Sequence, residues 1–315
     1  MKKTKPKYRI RNWTDYNRSL EQRGSLTVWI SDDALENWLL TEKTGNRGAS
    51  KSYSDLAIQT LATLKAVFHQ AGRQIVGFVK SIFKLMKIDL PIPDHSTLSR
   101  RLEVLPVELT VKAANSARHI VVDSTGVKVY GEGEWKVRTH GISKRRTWRK
   151  LHLCVDEKTH EIIAAAATEN SVSDCQAFPA LLDAIEEEIE QISADGSYDK
   201  RSVYQAIRER GIRRAAIPPR KNARIWQHGN SKEERLLRDE NLRAIRKRGR
   251  KRWKEDANYH RRSLSETAVF RFKTIFTDKL QSRKIENQFG EMFIKCEALN
   301  RMTHLGMPEG YKVTA

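Results

Sequence analysis

Hydrophobic positions recur along the chain in two rhythms. From Ser54 to about residue 105 they fall at helical spacing. Ser54 precedes "DLAIQTLATLKAVFHQ", in which Leu56, Ile58, Leu61, Leu64 and Phe68 share core spacing, so a helix capped by Ser54 is expected. Gly72 is expected to break it. "RQIVGFVKSIFKLMKI" reads as a second helix, ended by the prolines of "DLPIPD". "HSTLSRRLEVL" reads as a short third helix, with Ser96 as its cap and Arg100 and Arg101 exposed. Three short helices with a basic third suggest helix-turn-helix packing and DNA contact by Arg100 and Arg101; an ordinary helical bundle is the alternative.

From residue 118 to 220 the rhythm changes. "RHIVVDSTGVKVY" is β-branched and opens on an apolar run. "WRKLHLCVD" and "EIIAAAATEN" flank the turn "DEKTH" and read as an antiparallel hairpin. "DCQAFPALLDAIEEEIEQ" reads as one helix, with Pro179 tolerable only near its first turn. "ISADGSYD" is a short strand entering a turn, "KRSVYQAIRERG" a helix ending at Gly211, and "RRAAIPPR" a strand stopped by two prolines. The order β-β-β-α-β-α-β describes an α/β fold, a mixed sheet with flanking helices. Four regions follow: a basic arm and lead-in at 1–50, a helical region at 51–110, a core at 115–220 and 259–310, and a basic insertion at 221–258.

Charge changes this picture. The chain of 315 residues carries a formal net charge of +20. Residues 200–262 alone hold 22 Lys and Arg against seven Asp and Glu, so most of the excess is concentrated there. Uncompensated like charge repels itself, and a polyanion relieves that, with nucleic acid the first partner to consider. No stretch approaches the roughly 18 apolar residues of a membrane span. The basic start "MKKTKPKYRIRNW" lacks a following apolar segment, so no secretory signal is read there. Cys154, Cys175 and Cys296 have neither disulfide-framework nor zinc-site spacing, which suits reduced thiols in the cytoplasm.

Three acids stand where acids are awkward. Asp123 ends the apolar run "HIVVD", Asp195 ends "ISAD", and Glu266 is the lone acid of the basic stretch "YHRRSLSETAVFRFK". A carboxylate at the end of a buried strand is costly without a partner, and strand ends are where sites form in open α/β sheets. On one continuous helix, Tyr259, Arg262, Glu266 and Lys273 fall within about 60° of each other. Leu264, Ala268, Phe272 and Ile275 then form the opposite, core-facing stripe, and Phe270 falls unexplained on the polar side. Converging carboxylates call for Mg²⁺ or Mn²⁺. Two such ions would clamp an in-line substitution at phosphorus, with Arg262 and Lys273 holding flanking phosphates. Each acid alone also has a structural reading, as a turn cap or a helix ion-pair partner.

These residues resemble the DDE transposases of bacterial insertion sequences, most closely the insertion-sequence-five family. "RNWTDYNRSLEQRGSLTVWI" is similar to the opening of one subgroup, "VVDSTGVKVYGEGEW" to the first Asp block, "ADGSYD" to the second, and "IPPRKNA" to the segment after it. Tyr259, Arg262, Glu266 and Lys273 keep every spacing of a shared signature, Tyr-x2-Arg-x3-Glu-x6-Lys. The resemblance implies a ribonuclease H-like core with an insertion before the last acid. It implies that Asp123, Asp195 and Glu266 bind two divalent metals, and that Tyr259, Arg262 and Lys273 contact transposon-end DNA. It implies recognition of terminal inverted repeats by the N-terminal region, and strand cleavage followed by transfer of a 3′-OH to target DNA. A synaptic homodimer is inferred from that reaction, in a nucleoid-associated cytoplasmic protein. Trp226 or Trp253 could then stack on a displaced base, as an insertion-domain tryptophan does in some relatives, but a core tryptophan is the preferred reading of both. Two other readings stay open, a non-catalytic DNA-binding regulator and a ribonuclease H-like nuclease without strand transfer.

Overall fold

The helical and the strand-forming stretches fold into separate units, Met1–Val107 with Glu297–Ala315, and Glu108–Cys296. The computed structural model describes residues 7–41, 52–129, 148–228 and 235–313. The start of the basic arm, and parts of the first Asp block and of the basic insertion, lie outside the described residues.

In the first unit, helices span Trp13–Gln22, Asp55–Val67, Gly72–Met86 and His95–Leu102. Ser54 caps the second of these as expected, its Oγ accepting the Ala57 N–H at 3.0 Å. Ile58, Leu61 and Leu64 are fully buried, and Ile75, Val79, Phe83, Leu98 and Leu102 complete the core. Trp38 lies 5.2 Å from Phe83 between ring centroids and donates its indole N–H to the Pro91 carbonyl at 2.8 Å. Gly72 does not break a helix but starts one. The break falls before it, where His69 takes a left-handed φ of 53°. Ser96 is not the cap of the third core helix. Asp94 is, its Oδ1 accepting the N–H groups of Ser96 at 2.6 Å and Thr97 at 3.0 Å. A carboxylate accepts two N–H donors where a hydroxyl one residue inside the helix has lost the geometry. Arg100 is exposed, but Arg101 is not. The Arg101 guanidinium donates to the Tyr53 carbonyl at 2.7 Å and pairs with Asp55 at the start of the neighbouring helix.

The second unit is built on a six-stranded mixed sheet. Its strands are β2 (Arg118–Val129), β3 (Trp148–Asp156), β4 (Ile162–Glu169), β5 (Ile189–Ala194), β6 (Arg214–Ala216) and β7 (Lys279–Leu280). The order is β4-β3-β2-β5-β6, with the short β7 added beside the end of β2. β2, β3 and β4 pair antiparallel, as the hairpin reading requires, and β2, β5 and β6 pair parallel. Helices Asp174–Asp183 and Arg201–Glu209 pack with the sheet into one core that includes Ile120, Val122, Phe178, Leu182, Ile192 and Val203. The remaining strands, Lys7–Ile10 (β1) and Gly310–Val313 (β8), pair antiparallel in the first unit.

Three expectations for this unit need correction. The stretch from Asp174 is not one helix to Gln191: the helix ends at Asp183 and Ile189 already begins β5. Its glutamates mimic helical ion-pair spacing but serve the sheet instead. Glu187 receives the Arg118 guanidinium at 2.6 Å, and Glu190 meets His119 at 3.1 Å, both partners at the start of β2. Buried Arg118 also pairs with Asp156 at 2.9 Å. Pro179 lies beyond the first turn of its helix, inside it. The insertion reads polar in sequence but carries two helices, Leu237–Arg248 and Arg250–Asp256. They fold around Arg238, which is buried and bonded to Asp199 at 3.0 Å and to Asp239 at 3.1 Å.

The cap yields a test. Asp94 is held down to about 2, chiefly by the Ser96 hydroxyl and the two N–H donors. A depressed carboxylate stabilises the fold above its ordinary value of about 3.9 and loses that contribution as pH falls through the folded value. Asp94→Ala should therefore lower the melting temperature at neutral pH, and the gap from wild type should shrink steadily between pH 4 and pH 2. Thermal melts across that range check it.

Candidate active site

Parallel pairing of β2 and β5 sets Val122 opposite Ala194. The next residue on each chain is an aspartate, so Asp123 and Asp195 stand side by side where β5 ends. Asp195 is fixed by the turn it starts: its Oδ1 accepts the Ser197 N–H at 2.7 Å and caps the 3-10 turn Gly196–Tyr198. Gly196 suits a close approach, since a Cβ there would sit 3.2 Å from the Pro218 carbonyl oxygen and crowd it. Asp123 is partly buried. Its Oδ1 accepts the Ser124 N–H at 2.8 Å, and its Oδ2 accepts the Ser265 hydroxyl at 3.1 Å. Burial pushes the Asp123 carboxyl above the usual range, and Asp195 adds to this. Ser124, Ser265 and Arg262 oppose the shift without cancelling it.

Arg262 ties the third acid to the first. Its guanidinium lies 3.6 Å from Asp123 Oδ2 and bonds to Glu266, four residues along. Burial would lower the Arg262 pKa, but Tyr259, Glu266 and Asp123 outweigh it and raise the value. Glu266 sits exposed in the first turn of helix Ser263–Phe276. That helix packs on the sheet, yet not by the expected stripe. Ser265, Ala268, Phe272 and Phe276 are its buried residues, while Leu264 and Ile275 are only half-buried. Ser265 is the residue the sequence reading missed: a serine inside a core stripe looks like a packing residue until its hydroxyl is seen on Asp123. Phe270, 68% exposed, does lie away from the core.

Tyr259 and Arg262 are not on the Glu266 helix, as one continuous helix would have them. Asn258 takes a left-handed φ of 50° and starts a 3-10 turn, Tyr259–Arg262, before the helix proper. The turn is anchored to the sheet unit. Gln191 Nε2 donates to the Ala257 carbonyl at 3.1 Å, and Arg261 donates to the Glu157 carbonyl. The Tyr259 ring lies 5.7 Å from Trp253 and 6.0 Å from the Arg262 guanidinium, and burial raises its phenol pKa. Lys273 is half-buried two helical turns from Glu266. Trp253 is a core residue, 2% exposed and bonded through Nε1 to Asn241 at 3.1 Å. The Trp226 ring already carries Arg238 at 4.0 Å and Arg201 at 5.2 Å.

Among the described residues, no three His, Cys, Asp or Glu side chains cluster at metal-ligating distance. Asp123 and Asp195 lie near enough for the Asp195 charge to act on Asp123, and Arg262 lies against both Asp123 and Glu266. The donor set is all hard oxygen, and its negative charge is answered here by a guanidinium, so the chemistry of the residues fits a divalent oxygen-seeking cation. Among the described residues, no helix is long and apolar enough to cross a membrane.

Residues 114–301 match a family model described as a transposase DDE domain, and residues 21–132 match a second model of the same description. Among solved structures, the chain is similar to a Mos1 transposase paired-end complex with left transposon end. The match has 11% identity over 70% of this chain and 83% of that one, with a TM-score of 0.22. It is also similar to the Mos1 strand transfer complex, at 11% identity over 82% of this chain and 78% of that one, with a TM-score of 0.20.

The facing of the Glu266 helix can be tested by stability. Phe272→Ala should cost about 3–5 kcal/mol, as buried Phe truncations do. Phe270→Ala should stay within about 0.5 kcal/mol. Chemical denaturation of both variants checks this, and the reverse order would mean that the helix presents its other face.

Proposed function

Because the chain belongs to the transposase DDE-domain family, we propose that it cuts DNA at the ends of a mobile element and joins the freed 3′-OH to target DNA. The observation that carries this reading is the Asp123–Asp195 pair with Glu266 linked to it through Arg262. The strand order β4-β3-β2-β5-β6, antiparallel then parallel, supports a ribonuclease H-like core interrupted by the 221–258 insertion. The kept spacing of Tyr259, Arg262, Glu266 and Lys273 supports the insertion-sequence-five assignment within the family.

Asp123, Asp195 and Glu266 would hold two divalent cations, Mg²⁺ or Mn²⁺. When bound, such ions activate an attacking oxygen and stabilise a leaving one at phosphorus. The protein supplies placement. The β2–β5 register holds two carboxylates at fixed spacing, and Ser265 orients the Asp123 carboxylate by one hydrogen bond. Arg262 keeps the site neutralised and lies where a substrate phosphate would also seek it, with Tyr259 and Lys273 flanking. Water and then a DNA 3′-OH serve as nucleophiles, so no side chain need form a covalent intermediate. Arg100, exposed on the third helix of the first unit, suits contact with DNA outside the site, whereas Arg101 is committed to Asp55. Two ends brought together would call for a homodimer.

Asp123→Asn, Asp195→Asn and Glu266→Gln should each reduce Mg²⁺-dependent cutting and joining of end-bearing DNA to background. DNA affinity measured with a chelator present should be unchanged. A variant that cuts at the wild-type rate removes that acid from the site. Cutting without joining by the wild-type protein would favour a nuclease, and neither activity would favour a regulator.

A further inference from the structure

Beside Asp195 the surface carries a feature that the carboxylate site does not use. Two cavities, of about 310 Å³ and about 750 Å³, share Lys200, Arg201 and Arg220 in their walls. Lys200 and Arg201 follow β5, and Arg220 follows β6. Those strands are parallel neighbours, with Ser193 opposite Ala216, so all three cations lie beyond the same strand ends as Asp195. All three are exposed.

The nearby acids are already committed. Asp199 accepts Arg238 Nε at 3.0 Å, and Asp174 accepts Lys150 Nζ at 3.3 Å. Asp195 is held by Ser197. Among the described residues, no carboxylate pairs with Lys200, Arg201 or Arg220. The walls behind them are nonetheless built. Arg201 lies 5.2 Å from the Trp226 ring centroid, and the Trp226 N–H donates to Asp239 at 3.0 Å. Arg250 donates to the Pro219 carbonyl at 2.7 Å and so holds the loop that presents Arg220. Ser202 also lines the larger cavity, and its hydroxyl can donate to an anionic oxygen. Three cations whose side chains have no carboxylate partner, shared by the walls of two cavities, suit a linear polyanion better than one enclosed phosphate.

We propose that this groove binds the sugar–phosphate backbone of a DNA strand as it runs past Asp195, through Lys200, Arg201 and Arg220. The proposal rests on the reading that the chain acts on DNA. The groove positions the strand without reading its bases, because phosphate contacts carry no sequence information.

The test is fluorescence anisotropy with a labelled duplex of about 30 base pairs and arbitrary sequence, in EDTA, from about 50 to 200 mM salt. Arg201→Ala/Arg220→Ala should flatten the plot of log affinity against log salt by about 1.8, or about 0.9 for each lost phosphate contact. Arg201→Lys/Arg220→Lys should restore the slope. Arg208→Ala/Arg213→Ala, which removes the same charge from exposed positions off the groove, should leave it unchanged. An unchanged slope in the groove variant, with wild-type binding intact, overturns the groove alone. An equal change in both alanine variants does the same, because it reduces the effect to net charge. A wild-type protein with no salt-dependent DNA binding overturns the groove together with the reading beneath it.

Discussion

Asp123 is partly buried near Asp195, and much of the site follows from answering the cost of burying its charge. The parallel register of β2 and β5 sets each aspartate one residue past a paired, buried position. Burial is the largest cause holding the Asp123 carboxyl above its usual range, and the Asp195 charge adds a smaller part. Positive charge has to be supplied, and Arg262 supplies it while reaching Glu266 with the same guanidinium. One side chain thus answers two of the three carboxylates.

That arrangement depends on parts of the chain far apart in sequence. The Tyr259–Arg262 turn approaches the aspartates because Gln191 on β5 holds the Ala257 carbonyl and Arg261 holds Glu157 after β3. The helix behind it is pinned by Phe272 and Phe276, and its buried Ser265 hydroxyl lies within reach of both the Arg262 carbonyl, at 2.8 Å, and Asp123, at 3.1 Å. The basic insertion is likewise no loose polar loop. A buried Arg238–Asp199–Asp239 cluster organises it.

Periodicity made the strands of the hairpin, the Ser54 cap and the β-β-β-α-β-α-β order legible, because each is a local pattern of burial. The aspartates were legible for the same reason, since a carboxylate closing an apolar run is conspicuous, but only Asp195 lies at a strand end: β2 continues past Asp123 to Val129. What failed was non-local. The glutamates at 187 and 190 carry helical spacing but answer Arg118 and His119 across strands. What reads as one continuous helix opens on a 3-10 turn, started by the left-handed Asn258, before the helix proper begins at Ser263. This changes how Tyr259 and Arg262 reach the site without changing that Arg262 does. Asp94 displaced Ser96 as a cap because both residue types suit the position and only geometry chooses between them.

The central claim is that the carboxylates gathered around Arg262 form a divalent-cation site. Anomalous diffraction from crystals of the protein soaked in Mn²⁺ tests it most directly. The account predicts a manganese peak in contact with both Asp123 and Asp195, lost in Asp123→Asn crystals. Manganese bound at saturation elsewhere, with Asp123 and Asp195 still facing only Arg262 and their hydrogen-bond donors, would contradict it.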